Sequence, residues 1–363
     1  MVNIKSKIIN NTCHFECKMP PRIALDTNVE IAIDPFLEDV IRFLAEHPDT
    51  ALHLVGDRGI IQNSKNYPPL EDKIVSIVHA PERLSADEDT RSLVRRFRKH
   101  LNQSEDSISK ALGLVINGLV DGVVSNGSTR PFIMAATSYR IHPNIRITPA
   151  YCNFPTGIPN KKNVAVCDVG ANIKPNPLDI LVNYLLLGQE LANTDIEFPV
   201  IALLNIGEEK GKGGFYQLVH SFLERINLVG FYGNEEANKY IFNPRIHGLL
   251  CDAWVGNNLL KGSEGIHRMD VGNLMAINKE LIEKDLLDPK VAQLQVKKLV
   301  EKVDLEGRNG APILGTQYPL VLGHGSSPPY GALKIGYNYV QREINHEKIF
   351  ELIEKHKEIK FIG

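Results

Sequence analysis

From Arg22 onward, short apolar runs alternate with segments whose apolar positions return every three or four residues. RIALD, ending in Asp26, predicts a first strand, and the spacing of Phe36, Val40, Phe43 and Leu44 predicts a helix over 35–46. ALHLVGD and KIVSIVHA read as the next strands, 87–118 as a helix with a basic cluster (Arg91, Arg95, Arg96, Arg98, Lys99), and GVVSNGSTR as a strand opening on a Gly turn. The second half repeats the alternation. NVAVCDVG, VIALLNIG, INLVGF and HGLLCD predict strands, while 178–192, 214–224 and a segment starting near Gly256 predict helices. Such alternation argues for an α/β fold whose mostly parallel sheet is covered on both faces. Residues 266–306 are charged, helical and strand-poor, 319–322 give a late strand, and the end of the chain from Leu333 reads as a Lys-rich packing helix.

Composition narrows this picture. The 363 residues, 43% of them hydrophobic, suffice for a sizeable core. Lys+Arg 41 against Asp+Glu 43 gives a net charge of -2 and no global field for nucleic acid, which is not expected as a partner. Cys13, Cys17, Cys152, Cys167 and Cys251 are scattered, and buried thiols explain them better than a metal site, since no second Cys or His pair follows Cys13, His14 and Cys17. Residues 1–21 read as a tail without the apolar core of a signal peptide, followed by one domain over 22–363. No stretch approaches a membrane span, and a cytoplasmic protein is expected.

Candidate chemistry gathers in four Gly-rich segments at predicted strand ends: DVGAN, NIGEEKGKGG, CDAWVGN and GHGSS. Several such strand ends beside polar residues are what an α/β protein needs to build one crevice. In 207–214 four glycines accompany Lys210 and Lys212, which suits an anion or an ordinary turn equally, and the GxxxxGK[ST] spacing of a nucleotide loop is absent. Glu208 and Glu209 oppose an anion unless turned away or paired. Asn172 and Asn257 serve either as helix caps, the better reading for Asn172, or as amide donors, and Trp254 reads as core. GHGSS offers His324, Ser326 and Ser327, better suited to anion binding than to a Ser-His-Asp triad, because GxSxG is absent. A dehydrogenase is disfavoured, for no GxGxxG fingerprint is present. The basic cluster at 91–99 reads as a solvated helix face or a dock for an acidic partner.

In this order and spacing, RIALD, LVGD, VSNGSTR, DVGAN, LLNIGEEKGKG, CDAWVGN with LLKGSEG, NGAPILG and GHGSS resemble the phosphate acyltransferases of the PlsX family. The resemblance implies a Rossmann-like three-layer α/β/α sandwich related to isocitrate and isopropylmalate dehydrogenases and to phosphotransacetylases, usually a homodimer, needing no cofactor. It implies transfer of a fatty acyl group from acyl carrier protein to inorganic phosphate in phospholipid synthesis, and a crevice containing Lys212, Asn257 and His324 as catalytic residues. Asp168, Asn172, Gly207, Gly213, Gly256, Ser326, Ser327, Ser125 and Arg130 would bind substrate around them. Two segments depart from the family pattern. Asp26 is followed by TNVEIAIDP, which lacks the family's Gly-Gly-Asp turn, and SxGNTGA becomes Ser125 to Pro131 with Ser128, Arg130 and Pro131 substituted. The implied hydrophobic tip, where the family touches membrane, falls in the charged 266–306 region, so only weak peripheral contact is expected. The alternatives are a weakened homologue that binds carrier protein or an anionic metabolite, and a phosphotransacetylase-like enzyme acting on an acyl-coenzyme A.

Overall fold

In the computed structural model, the described residues are 20–29, 31–141, 145–146, 148–158, 163–172, 174–194, 196–210, 214–303, 309–323 and 327–342. The chain opens with β1 (Arg22–Asp26), α1 (Ile33–Glu46), β2 (Ala51–Gly56), α2 (Arg58–Gln62) and β3 (Ser76–His79). Next come α3 (Thr90–Lys99), α4 (Ser107–Ile116), β4 (Gly122–Ser125) and α5 (Thr129–Ser138). A second group follows: β5 (Tyr151–Pro155), β6 (Asn163–Cys167), α6 (Pro177–Ala192), β7 (Ile201–Leu204), α7 (Phe215–Arg225), β8 (Phe231–Glu235) and β9 (Gly248–Leu250). The last elements are α8 (Ala253–Glu283), α9 (Pro289–Val303), β10 (Gly310–Ile313), β11 (Leu320–Gly323) and α10 (Tyr330–Tyr339).

The strands form two sheets, in the orders β10-β11-β4-β1-β2-β3 and β5-β6-β9-β7-β8. All pairings are parallel except β10 with β11 and β5 with β6. β4, β7 and β9 are buried along their whole length, as parallel strands covered on both faces must be. Their continuous apolar runs follow from that burial, and the expected Rossmann-like α/β class is the one found. The sheets meet where Ala150 bridges Ile313 in antiparallel fashion and the Leu314 amide donates to the Pro149 carbonyl at 2.8 Å.

Several boundaries differ from the sequence reading. The helix predicted over 87–118 is two, because the buried Asp106 interrupts it: its carboxylate accepts from the Ser109 amide at 2.8 Å, capping α4, and takes Arg96 from α3 at 3.3 Å. INLVGF is a turn rather than a strand. Asn227 and Gly230 adopt φ of 52° and 88°, and β8 begins only at Phe231. β5 and β10 escape a linear reading because Asn153 and Pro155 interrupt one run and Pro312 the other, and both lie antiparallel to a neighbour. Cys152, Cys167 and Cys251 are buried free thiols, as expected, whereas Trp254 is 68% exposed and does not belong to the core. Of the expected N-terminal tail, residues 1–19 lie outside the described ones, as does everything after 342.

The charged region contains the longest element. α8 runs 31 residues, roughly 45 Å, and only Ala253, Gly256 and Asn278 along it are buried. It projects from the body with α9 beside it, joined in part by the Asn278 amide on the Ala292 carbonyl at 3.2 Å. Its foot packs onto the end of β6 at Gly256, where a Cβ would stand 1.9 Å from the Asp168 carbonyl oxygen and 2.8 Å from Cys251 Sγ. Backbone opposes backbone there, so an added methyl has no flexible neighbour to displace. Gly256→Ala is expected to cost about 1–3 kcal/mol, seen as a lower denaturant midpoint at unchanged slope; a parental midpoint would show that helix and strand can separate freely.

Candidate active site

The carboxyl ends of β4, β6, β9 and β11 open on one cleft of about 930 Å³ that spans the junction of the two sheets. Such a position, outside the strand ends of an open α/β fold, is where ligands of these folds bind. One wall is the turn from β4 into α5, with Gly127, Ser128, Thr129 and Arg130. The turn after β6 contributes Gly170, Ala171, Asn172 and Lys174, and the foot of α8 contributes Asn257, Leu260, Lys261 and Glu264. Ile133, Met134, Val169 and Leu322 add apolar lining, so the cleft has a polar end and a greasy side.

Asp168 organises the β6 turn from below. It is 1% exposed, and its carboxylate accepts from the amides of Ala150, Gly170, Ala171 and Asn172 at 3.2, 3.1, 2.9 and 2.9 Å and from Asn172 Nδ2 at 2.7 Å. The glycine-rich turn therefore encloses a carboxylate supplied by its own chain, and those amides are already engaged. Asn172 belongs to this knot and is not a helix cap; Asn176 caps α6 instead, in a reciprocal pair with Asp179. Gly170, at φ 141°, lets the turn pass close to Asn257, whose Oδ1 lies 3.7 Å from where a Cβ would stand. Asn257 is likewise no cap. Asp252 caps α8 through the Val255 amide at 2.9 Å, leaving the Asn257 side chain on the cleft wall one turn further on.

The helix α5 presents its N-terminus to the same space. Its cap residue Ser128 makes no side-chain cap, for the hydroxyl donates to the Leu84 carbonyl at 3.0 Å. The amides of Thr129 and Arg130, Pro131 having none, and the positive end of the helix dipole thus lie at the cleft wall. Ser125 lies beneath: its hydroxyl donates to the buried Asp26 carboxylate at 2.7 Å and accepts from the Gly127 amide at 3.1 Å. Burial pushes Asp26 above the usual carboxylate range, against the pull of that hydroxyl. Arg130 is held on the rim, with Nη1 on the Ala86 carbonyl at 3.2 Å and Nη2 on Thr90 Oγ1 at 2.7 Å. Asn28 fills the loop after β1, donating to the carbonyls of Ala80 and Glu82, both at 2.9 Å, which gives physical form to the missing glycines.

Of the residues singled out from the sequence, the cleft thus unites Arg130, Asn172 and Asn257, supported from behind by Ser125, Asp168 and Gly256. Ser327 stands behind the wall, its carbonyl accepting from Asn126 Nδ2 at 3.0 Å. Gly207 is not part of the lining. Beside it, Glu208 is paired with Lys239 at 2.8 Å, which neutralises that one of the two acidic neighbours, and Lys210 is drawn to Glu224. Lys212, Gly213, His324 and Ser326 lie outside the described residues. Lys174, Lys261 and Asn309 line the cleft without having been singled out from the sequence. Lys174 is exposed and forms no ion pair among the described residues, while Lys261 meets Glu264 at 3.1 Å. The signal for Lys174 was its place two residues beyond Asn172 on the same turn.

An open α/β cleft with a helix N-terminus, two amide side chains and an apolar wall can accept a ligand that is anionic at one end and apolar at the other. The chain belongs to the fatty acid synthesis protein family, whose model matches residues 22–334. It is an acyltransferase, and its relatives are named for that chemistry. A phosphate acyltransferase of Dichelobacter nodosus is 29% identical over 341 residues, 92% of this chain and 94% of the relative. Another, from a Nitratiruptor species, is 30% identical over 332 residues, 87% and 96% of the two chains. Among solved structures, a phosphotransacetylase from Streptococcus pyogenes superposes with a TM-score of 0.53 at 15% identity, covering 88% of this chain and 94% of its own, a likeness of fold.

Burial pushes the Asp168 carboxyl from 3.8 up to about 6, with the surrounding N–H donors pulling the other way. The folded protein therefore holds this proton to a higher pH than the unfolded chain does. Its contribution to stability is full below about pH 4 and is lost as pH rises through 6, on the order of 3 kcal/mol in all. Unfolding free energy measured from pH 4 to 7 should carry this falling component, and Asp168→Asn should remove it. A variant whose pH profile runs parallel to that of the parent would contradict the assignment.

Proposed function

We propose that this cleft transfers a fatty acyl group from acyl carrier protein to inorganic phosphate, releasing acyl phosphate and the free thiol for phospholipid synthesis. The observation that carries the reading is the meeting, in one cleft, of Asn172, Asn257, Lys174 and an uncapped α5 N-terminus with the apolar side formed by Ile133, Met134, Val169 and Leu322. A phosphate dianion fits the first group and an acyl chain the second. A phosphate oxygen attacks the thioester carbon, the carbonyl oxygen gains charge, and the carbon–sulfur bond then breaks as the sulfur takes up a proton. Phosphate is itself the nucleophile, so the protein supplies position and charge stabilisation and no covalent intermediate with a side chain is required.

In this reading Lys174 and the α5 amides hold phosphate, joined by Lys212 of the glycine-rich segment. Asn257 donates to the developing oxyanion, and His324 serves the proton at sulfur. Arg130, fixed on the rim, borders the entrance. No cofactor takes part. The enzyme works as a homodimer in the cytoplasm, and the exposed Ile266, Met269, Met275, Ile277, Leu286 and Leu294 of the α8–α9 arm support self-association with at most peripheral membrane contact. Among the described residues no helix is long and apolar enough to cross a membrane.

The test is incubation of the purified protein with long-chain acyl carrier protein and phosphate, with acyl phosphate trapped and measured; product from acyl-coenzyme A alone would move the donor assignment to the coenzyme. Asn257→Ala should lower kcat about a hundredfold, the worth of one preorganised donor. Lys212→Ala should fall comparably, and Lys174→Ala should raise KM for phosphate more than it lowers kcat. Parental kinetics in all three would place the chemistry elsewhere.

A further inference from the structure

The outer surface of α3 serves none of the roles assigned so far. Its ten residues contain no acid, and Arg91, Arg95, Arg98 and Lys99 are all exposed. These stand at i, i+4, i+7 and i+8, one face of a helix, while the fully buried Leu93 and Phe97 occupy the opposite face. None of the four forms an ion pair with an acid among the described residues; Arg96, to the side, is the member taken, by Asp106 at 3.3 Å and Glu82 at 3.6 Å. Asp87, Glu88 and Asp89 precede the helix, and Asp89 is engaged in capping the Ser92 amide at 2.9 Å.

Folding alone does not account for this stripe. Arg91 and Arg95, and Arg95 and Lys99, are like-charge pairs one turn apart, an arrangement that weakens a helix. The helix dipole favours cations in the last turn, which covers Arg98 and Lys99, but it opposes Arg91 in the first. The chain as a whole carries a net charge of -2, so the stripe is a local feature.

Its location ties it to the cleft. Thr90, the first residue of α3, accepts from Arg130, and Ala86 and Arg130 both line the cleft. At the other end, the Tyr139 hydroxyl donates to the Phe97 carbonyl at 2.8 Å, so α3 lies along α5, whose N-terminus forms the cleft wall. An object seated on the stripe stands beside the entrance.

We propose that the solvent face of α3 docks the acidic protein that delivers the acyl thioester, with Arg91, Arg95, Arg98 and Lys99 meeting carboxylates on the carrier. This rests on the acyl-transfer reading above and names the surface by which the macromolecular donor is recognised. A protein is favoured over an anionic membrane because this face presents no large exposed apolar side chain for insertion into lipid. Cations arranged without partners beside an entrance steer an acidic protein and fix its orientation more than they bind it tightly.

The deciding experiment compares the full-length parent with the triple variants R91E/R95E/R98E and R91Q/R95Q/R98Q, the neutral set guarding against a folding defect. Labelled holo-acyl carrier protein is titrated with each, and turnover is followed with acyl carrier protein and with a small acyl thioester. The expected result is a loss of about tenfold in carrier affinity and in kcat/KM for the carrier-bound substrate at low salt, larger for the reversed than for the neutral set. The small thioester should be used as by the parent, and high salt should narrow the difference. Equal carrier affinity in parent and variants, no carrier binding by the parent, or a loss confined to phosphatidylglycerol vesicles would each overturn the proposal. Carrier binding that depends on α3 without any acyl phosphate would instead refute the reaction and leave the docking surface standing.

Discussion

The buried carboxylate of Asp168 is the constraint on which the site depends. It gathers the Ala150 amide, just before β5, and the amides that form the turn after β6, and its own backbone is locked to the end of β9, with the Asp168 amide on the Cys251 carbonyl at 3.1 Å and Cys251 Sγ donating back at 3.5 Å. Ala150, the residue whose amide it accepts, also carries the bridge to Ile313 of the other sheet. One side chain thus holds together the strand ends that floor the cleft and the point where the two sheets join. Burying a carboxylate is costly, and these donors offset that cost only where they stand, which makes the arrangement specific to one geometry.

That geometry explains how two sheets of ordinary α/β construction yield a reactive space. Four strands, β4 and β11 from one sheet and β6 and β9 from the other, end facing the same volume, and each ends in small or polar residues that let backbone approach backbone. Gly256 lets α8 sit down on the Asp168 carbonyl, and that contact brings Asn257 against Gly170. Gly127 serves the other wall, where a Cβ would come within 2.9 Å of Asp26 Oδ2. The glycines permit close approach, the buried acids Asp26 and Asp168 fix the turns, and the side chains left over face the ligand. The turn amides after β6 are committed to Asp168, so the groups left to face the cleft are the α5 N-terminus and the side chains of its lining.

Much of this was legible in the sequence, and the exceptions have physical causes. Buried parallel strands announce themselves as continuous apolar runs, so β1, β2, β4, β6 and β7 were visible, together with the helices α1 and α6. The antiparallel strands β5 and β10 were not, because Asn153, Pro155 and Pro312 look like loop residues when the pairing partner is unknown. Asp106 could not be read as a helix break, since only burial and its contact with Arg96 give it that role. Asn172 looked like a cap because the sequence does not reveal that the nearest acid, Asp168, would capture its amide. Trp254 looked like core because a lone Trp usually is, yet it stands in the first turn of a helix that leaves the body. Lys174 was passed over because its place on the Asn172 turn is visible in the sequence but the side it faces, the cleft, is not.

The same constraint connects the cleft to the protruding arm. α8 is one uninterrupted helix from its cap at Asp252 to Glu283, so Asn257 near its foot and the exposed Ile266, Met269 and Met275 further along belong to one stiff body. Its seat is narrow: at Gly256 the helix lies against the Asp168 carbonyl with no side chain between them, and a tilt of the arm bears directly on the turn that carries Asn172. The apolar side chains of the arm and the side chain of Asn257 are thus carried by the same helix. The long helix is charged along much of its length and apolar in patches because it answers to two demands at once, solvation as a projecting element and a fixed placement of its first turns.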